Sequence, residues 1–151
     1  MTVIAYRDGV LAADSLTETD GLIVPGPPKI VRRGKAWVAT AGALGDCAAF
    51  EQWVAGGRRA DGAPELDDGF EALVAEGGKV SWYDKGCAAV EVTALPWAAL
   101  GSGHQVAAAV LAQGGAAVEA CLLACRLRVD CGLPVVFVDL ANGGELRQAA
   151  G

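Results

Sequence analysis

Residues 2–15 read Thr2-Val-Ile-Ala-Tyr-Arg7, Asp8-Gly9, Val10-Leu-Ala-Ala-Asp-Ser15, and the reading of this stretch decides the architecture. Two short apolar runs flank Asp8-Gly9, whose residues both tolerate positive φ, so a type I′ turn joins two strands into a hairpin. The chain is therefore in a sheet from its first residues. Arg7 and Asp8 interrupt the apolar character, so residues 1–13 resemble neither the core of a signal peptide nor a spanning helix.

Working outward, residues 16–28 are polar and end in Val24-Pro-Gly-Pro-Pro28, which suits a surface excursion bordering a site. A second hairpin is expected from Lys29–Arg33 and Ala36–Ala41 around Gly34-Lys35, followed by a glycine-containing turn over residues 42–45. The spacing predicts a helix over about 46–54, closed by Gly56-Gly57, and a second helical segment over 66–76 with Phe70, Leu73 and Val74 on one side. Strands are expected over 79–84 and 87–93, with a further short one closing at Leu100. Gly101-Ser102-Gly103 opens a helix that Gly114-Gly115 breaks, an apolar helix follows over about 116–129, and residues 134–140 form a last strand. The chain reads as one domain, 1–151, with a polar tail over 142–151 that is expected to fray. The order of elements implies an α+β layering of paired sheets with helices outside, not regular βαβ alternation.

Composition narrows the function. Of 151 residues 53% are apolar and 20% charged, which places the chain among globular proteins. The net charge of −6 repels phosphate backbones and anionic headgroups, so neither nucleic acid nor a membrane is an expected partner. No apolar stretch approaches the ~20 residues of a spanning helix, and a cytoplasmic location is expected. The five cysteines form no C-x-x-C pair, which fits a reducing compartment. Cys121 and Cys125 share one face of a helix and read as buried thiols, while His104 is the single histidine available to any zinc site or serine triad. Gly101-Ser102-Gly103 lacks the five-residue nucleophile elbow, so Ser102 with His104 is not read as a serine hydrolase pair. The tryptophans at 37, 53, 82 and 97 are dispersed and read as core or interface anchors.

Four features stand in a telling order: Thr2 directly after Met1, Asp14 closing the second strand, Lys29 opening the third, and Gly42 within Ala41-Gly-Ala-Leu-Gly-Asp46. Together they resemble the threonine N-terminal nucleophile (Ntn) hydrolases of the proteasome β-subunit and HslV type, with gaps, from Thr2 to about Asp139. The resemblance implies a four-layer αββα sandwich, two antiparallel sheets packed face to face with helices outside. It implies Thr2 as nucleophile once Met1 is removed, Asp14 and Lys29 as the catalytic aspartate and lysine, and Gly42 as donor of an oxyanion N–H. Ser102, in the glycine-rich turn, would hydrogen-bond near the terminal amine, Asp130 would support the site after the last helix, and Thr40 would line the specificity pocket. A peptide or other amide is the implied substrate, no metal or organic cofactor is required, and a homo-oligomer is implied because family members assemble into rings. Neither ring size nor an ATPase partner is specified by the residues. The chain is shorter than typical family members.

The chemistry accounts for these residue types. A threonine hydroxyl is a weak nucleophile, and when threonine is the first residue its own α-amine, with a pKa of about 7.7–8.0, can take the proton. A lysine beside the hydroxyl favours the alkoxide-like form, and an aspartate orients that lysine. An oxyanion N–H in other hydrolases is worth roughly 2.7–4 kcal/mol, and glycine lets the substrate carbonyl approach closely. Two further readings use the same residues: a non-catalytic assembly protein that retains Met1, and an amidase acting on a small non-peptide substrate.

Overall fold

The first hairpin is formed by β1 (Ile4–Arg7) and β2 (Val10–Ala13), paired antiparallel with Arg7 opposite Val10. Asp8 and Gly9 take φ values of 50° and 77°, the two positive values a type I′ turn requires. The computed structural model describes residues 1–151. After β2 the chain makes a two-stranded ribbon, β3 (Thr17–Thr19) and β4 (Leu22–Val24), within the segment read as a plain excursion. The second hairpin follows as β5 (Ile30–Arg33) and β6 (Ala36–Ala41), and then helix α1 (Leu44–Ala55). Strands β7 (Glu71–Glu76), β8 (Lys79–Asp84), β9 (Val90–Glu91) and β10 (Ala98–Leu100) lead to α2 (His104–Ala112) and α3 (Ala117–Leu127). The chain ends with β11 (Val135–Asp139) and β12 (Leu146–Ala149).

Two five-stranded sheets result, ordered β10-β1-β2-β11-β12 and β5-β6-β7-β8-β9, with all pairs antiparallel. The period of two along each strand divides its side chains between two faces. Ile4, Leu11 and Val138 of the first sheet meet Ile30, Ala39 and Leu73 of the second in one cluster. The alternate residues Val3, Ala5, Ala12 and Val135 pack with Leu111, Ala120 and Cys121 of the helix pair. On the second sheet, Val38, Ala72 and Val74 pack with Phe50 and Val54 of α1. Phe50 lies with its ring centroid 5.0 Å from that of Phe70 and 5.2 Å from that of Tyr83.

The structure corrects four expectations. The four-layer αββα Ntn sandwich is replaced by a sheet-rich fold: twelve strands in three antiparallel sheets, with only three short helices of 12, 9 and 11 residues. The helical segment over 66–76 is instead strand β7, paired with β8 from Glu71↔Asp84 to Glu76↔Lys79. Ala72 to Ala75 are all buried, alternate residues facing opposite sides, and an apolar run with no polar face carries no period by which helix and strand can be told apart. The tail does not simply fray, because Leu146–Ala149 pair with Val135–Val138 as an edge strand. The expected strand over 87–93 is reduced to the two residues of β9. No helix is long and apolar enough to cross a membrane.

Antiparallel pairing gives the two stacked sheets two unlike ends. The starts of β1, β5 and β7 and the ends of β2, β6 and β10 gather at one. The tight turns after β1, β5 and β7 and the loop after β11 gather at the other, roughly 20 Å away by the rise of the intervening strand residues.

Candidate functional site

The strand-start end holds Thr2, which is buried to 5% exposure although it precedes the first strand. Its backbone is clamped by the turn before α2: the Gly103 N–H donates to the Thr2 carbonyl at 3.0 Å, and the Thr2 N–H donates to Ser102 Oγ at 3.1 Å. Gly101 permits this approach. Its φ is +82°, and a Cβ placed there would lie 2.3 Å from the Thr2 carbonyl oxygen, so any side chain would displace the turn or the threonine. The Gly101 N–H is held in turn by Glu71 at 3.1 Å.

Asp14, at the end of β2, is fully buried and saturated with donors. One carboxylate oxygen accepts from the Val3 N–H at 2.9 Å and from Lys29 Nζ at 2.8 Å; the other accepts from the Leu16 and Gly132 N–H groups at 3.2 and 3.0 Å. A buried carboxylate is tolerated only when so paired. Lys29, whose side chain is 10% exposed, also donates from Nζ to the Met1 carbonyl at 2.9 Å. The Thr2 hydroxyl donates to that same oxygen at 2.6 Å. The ammonium of Lys29 and the hydroxyl of Thr2 thus converge on one carbonyl oxygen, and Asp14 fixes the ammonium from behind.

Gly42 follows β6, with a φ of 145° that favours glycine, and a Cβ there would press on Phe70 at 3.2 Å. Its N–H donates to no acceptor in the protein. Gly42 lines, together with Thr2 and Lys29, an open cleft of about 540 Å³ whose far wall is Thr17, Glu18 and Thr19 of the ribbon. A recess of about 30 Å³ opens from the same residues and is closed by Thr40, Cys47 and Glu51. Glu51 is tied to Arg33 at 2.7 Å.

Asp130 stands one step further out. Arg128 grips both of its carboxylate oxygens at 2.7 Å. That pairing, opposed by burial and assisted by the Ser102 hydroxyl, holds the Asp130 carboxyl down at about 2. Burial pushes the neighbouring Cys131 thiol up to about 12, with Asp14 and Asp130 adding to the effect, so at neutral pH it is no thiolate nucleophile. His104 turns its Nδ1 to the Gly101 carbonyl at 2.8 Å and makes no bond to Ser102, so the two do not form a serine–histidine pair.

The structure therefore brings Thr2, Asp14, Lys29 and Ser102 into one hydrogen-bonded group, adds Gly42 and Thr40 as lining, and leaves Asp130 outside that group, paired with Arg128. Sequence reasoning missed Glu71, Thr17, Glu51 and Arg128. Arg128 was readable, since Arg-x-Asp spacing allows a local ion pair. Glu71 was not, because the segment holding it was read as a helix. No protein-family profile and no curated protein sequence matches this chain.

Proposed function

We propose that the strand-start end is the active site of an amide-bond hydrolase whose nucleophile is the hydroxyl of Thr2. Within that class the reading is a threonine peptidase of the proteasome and HslV type, active once the Met1–Thr2 bond is cut. The observation that carries it is the convergence of Lys29 Nζ and Thr2 Oγ on one carbonyl oxygen, at 2.9 and 2.6 Å, with Asp14 buried behind the lysine. No local turn requires this arrangement, since Thr2, Asp14 and Lys29 come from three different strand ends.

With Met1 in place the Thr2 nitrogen is an amide and donates to Ser102; once freed it is an amine held beside the same hydroxyl. The amine takes the Thr2 hydroxyl proton as Oγ attacks the substrate carbonyl, and the tetrahedral oxyanion is met by the unpaired Gly42 N–H. Collapse expels the leaving amine with that proton and leaves an ester on Thr2. Water, deprotonated by the same α-amine, then hydrolyses the ester. Lys29 stabilises negative charge on Oγ, and the recess closed by Thr40 and Cys47 admits a small substrate side chain. A cytoplasmic homo-oligomer completes this reading, in keeping with the reduced cysteines and the exposed apolar residues Leu127, Val129 and Leu133 around the end of α3.

A second reading, a non-catalytic assembly protein that retains Met1, is favoured by one contact: the Met1 carbonyl itself occupies Lys29 and the Thr2 hydroxyl. Intact mass of the native protein, followed by reaction with an epoxyketone or β-lactone, separates the two. Loss of Met1 with one stoichiometric adduct on Thr2 is the expected result. Retained Met1 with no adduct overturns the hydrolase.

A further inference from the structure

The turn end carries a cavity that the hydrolase reading does not use. It measures about 470 Å³, within the range of small-molecule sites, and opens where the hairpin turns of both sheets meet the loop after β11. Its floor is apolar, formed by Tyr6, Val80 and Leu140. Its rim is cationic: Arg32, Lys35 and Lys79 all line it, and none has a carboxylate within ion-pair distance. The carboxylate that does line it, Glu76, is engaged by Arg58, and Asp8 of the adjoining turn pairs with Arg7 at 3.3 Å. A chain of net charge −6 thus gathers three uncompensated cations around one opening.

The wall between rim and floor is Trp37. Its ring is half-buried, and the Arg32 guanidinium carbon stands 5.9 Å from the ring centroid, held by a hydrogen bond from Nε to the Gly34 carbonyl at 3.3 Å. The backbone of Gly144 packs against the indole edge: its φ is +63°, and a Cβ there would lie 2.6 Å from Trp37 Nε1. Glycines at 77, 78 and 143 leave the rest of the wall as bare backbone. The cavity therefore offers a flat aromatic face, an apolar floor and positive charge at its mouth.

We propose that this cavity is a second binding site, for a small ligand that joins a flat apolar ring to a carboxylate or another anionic group. The ring would lie along Trp37 and the floor, and the anion would meet Arg32 and Lys79 at the rim. The site is separate from Thr2 and does not depend on the hydrolase reading.

Calorimetric titration with 1-naphthoate, with 1-naphthamide as its uncharged counterpart, tests the proposal on the full chain. One-to-one binding of naphthoate is expected, with a dissociation constant on the order of 0.1–1 mM for a ligand this small. Naphthamide is expected to bind ~10-fold more weakly, and the Arg32→Gln/Lys79→Gln variant to lose a similar factor for naphthoate, since charge-assisted contacts supply that difference. Raising the salt concentration should weaken naphthoate alone. Thr2→Ala should bind naphthoate as the wild type does. Far-UV circular dichroism checks the double variant, and Lys79→Gln alone, an exposed side chain without a partner, carries the test if the double variant is unfolded. Absence of saturable binding, equal affinity for acid and amide, or binding unaffected by loss of the rim charges would each overturn the site.

Discussion

The two ends of the stacked sheets are made from the same strands and differ in how their charges are treated. At the strand-start end, Asp14 is buried and Lys29 mostly so, and each carboxylate oxygen of Asp14 is met by a donor distant in the chain, from Val3 and Lys29 on one and Gly132 on the other, with the nearby Leu16 N–H adding to the latter. At the turn end, Arg32, Lys35 and Lys79 are exposed on hairpins closed by local contacts and lack acidic partners. In an antiparallel sheet the tight turns join neighbours in sequence, so that end is a set of separable hairpins. The opposite end is joined through longer connections, and there β1, β2, β5, β6 and the turn before α2 hold one another. Substitutions at the first end should accordingly act on the whole molecule, and those at the second should act locally.

The largest contrast should come from chemistry. Thr2→Ala is expected to lower amide hydrolysis by on the order of 10⁴-fold or more, as loss of a nucleophile does, while leaving the unfolding midpoint in urea near the wild-type value. Turnover unchanged in that variant would remove Thr2 from the mechanism. Next comes the buried ion pair: Asp14→Ala leaves Lys29 and three backbone N–H groups without their acceptor and should cost about 3–5 kcal/mol in urea denaturation. Lys79→Gln at the turn end should stay within about 0.5 kcal/mol, and a comparable loss there would refute the division between coupled and separable ends.

Glycine substitution sharpens the same difference. Gly9→Ala, with open space around the new methyl, should cost only the left-handed backbone penalty of about 1–2 kcal/mol. Gly101→Ala adds a collision with the Thr2 carbonyl and should cost more than about 3 kcal/mol. Similar losses at both positions, read from chemical denaturation, would show that the clamp on Thr2 is slack.

A further expected effect concerns acid. The Asp130 carboxyl is depressed in the folded chain, so its contribution is fully present above about 3.9, the unfolded value, and is lost as pH falls through about 2. Arg128→Ala removes the main cause. The stability of that variant should therefore fall less steeply between about pH 4 and pH 2 than that of the wild type. Parallel curves would mean that Arg128 does not hold Asp130 in solution.

Much of the strand-start end was legible before any coordinates, for a physical reason that is local. Asp8-Gly9 and Gly34-Lys35 declare tight turns, and each turn sets the register of its hairpin, which brings the strand ends beside Thr2 and Asp14 together in one sheet and those beside Lys29 and Gly42 together in the other; that the four form one group was implied by the family resemblance. The expected helices near 46–54, after Gly103 and over 116–129 also form, within a few residues at each boundary. What failed is equally local in origin. Ala72 to Ala75 are covered on both faces, so their pattern has neither the period of a helix nor that of a half-exposed strand; the expected four-layer arrangement came from the family resemblance, not from this segment. Glu71 was lost as a partner of Gly101 for the same reason.

By itself the sequence determined the hairpins, the glycines that must take positive φ, the order of the site residues and the overall negative charge, because each depends on neighbours a few positions away. Only the tertiary structure decided that Lys29 reaches both Asp14 and the carbonyl beside Thr2, that Glu71 braces the turn over Thr2, and that three unpaired cations share a cavity with Trp37. Those contacts join elements distant in the chain, and which strands stack over which is decided by the burial of both faces together, a quantity that no short window of sequence contains.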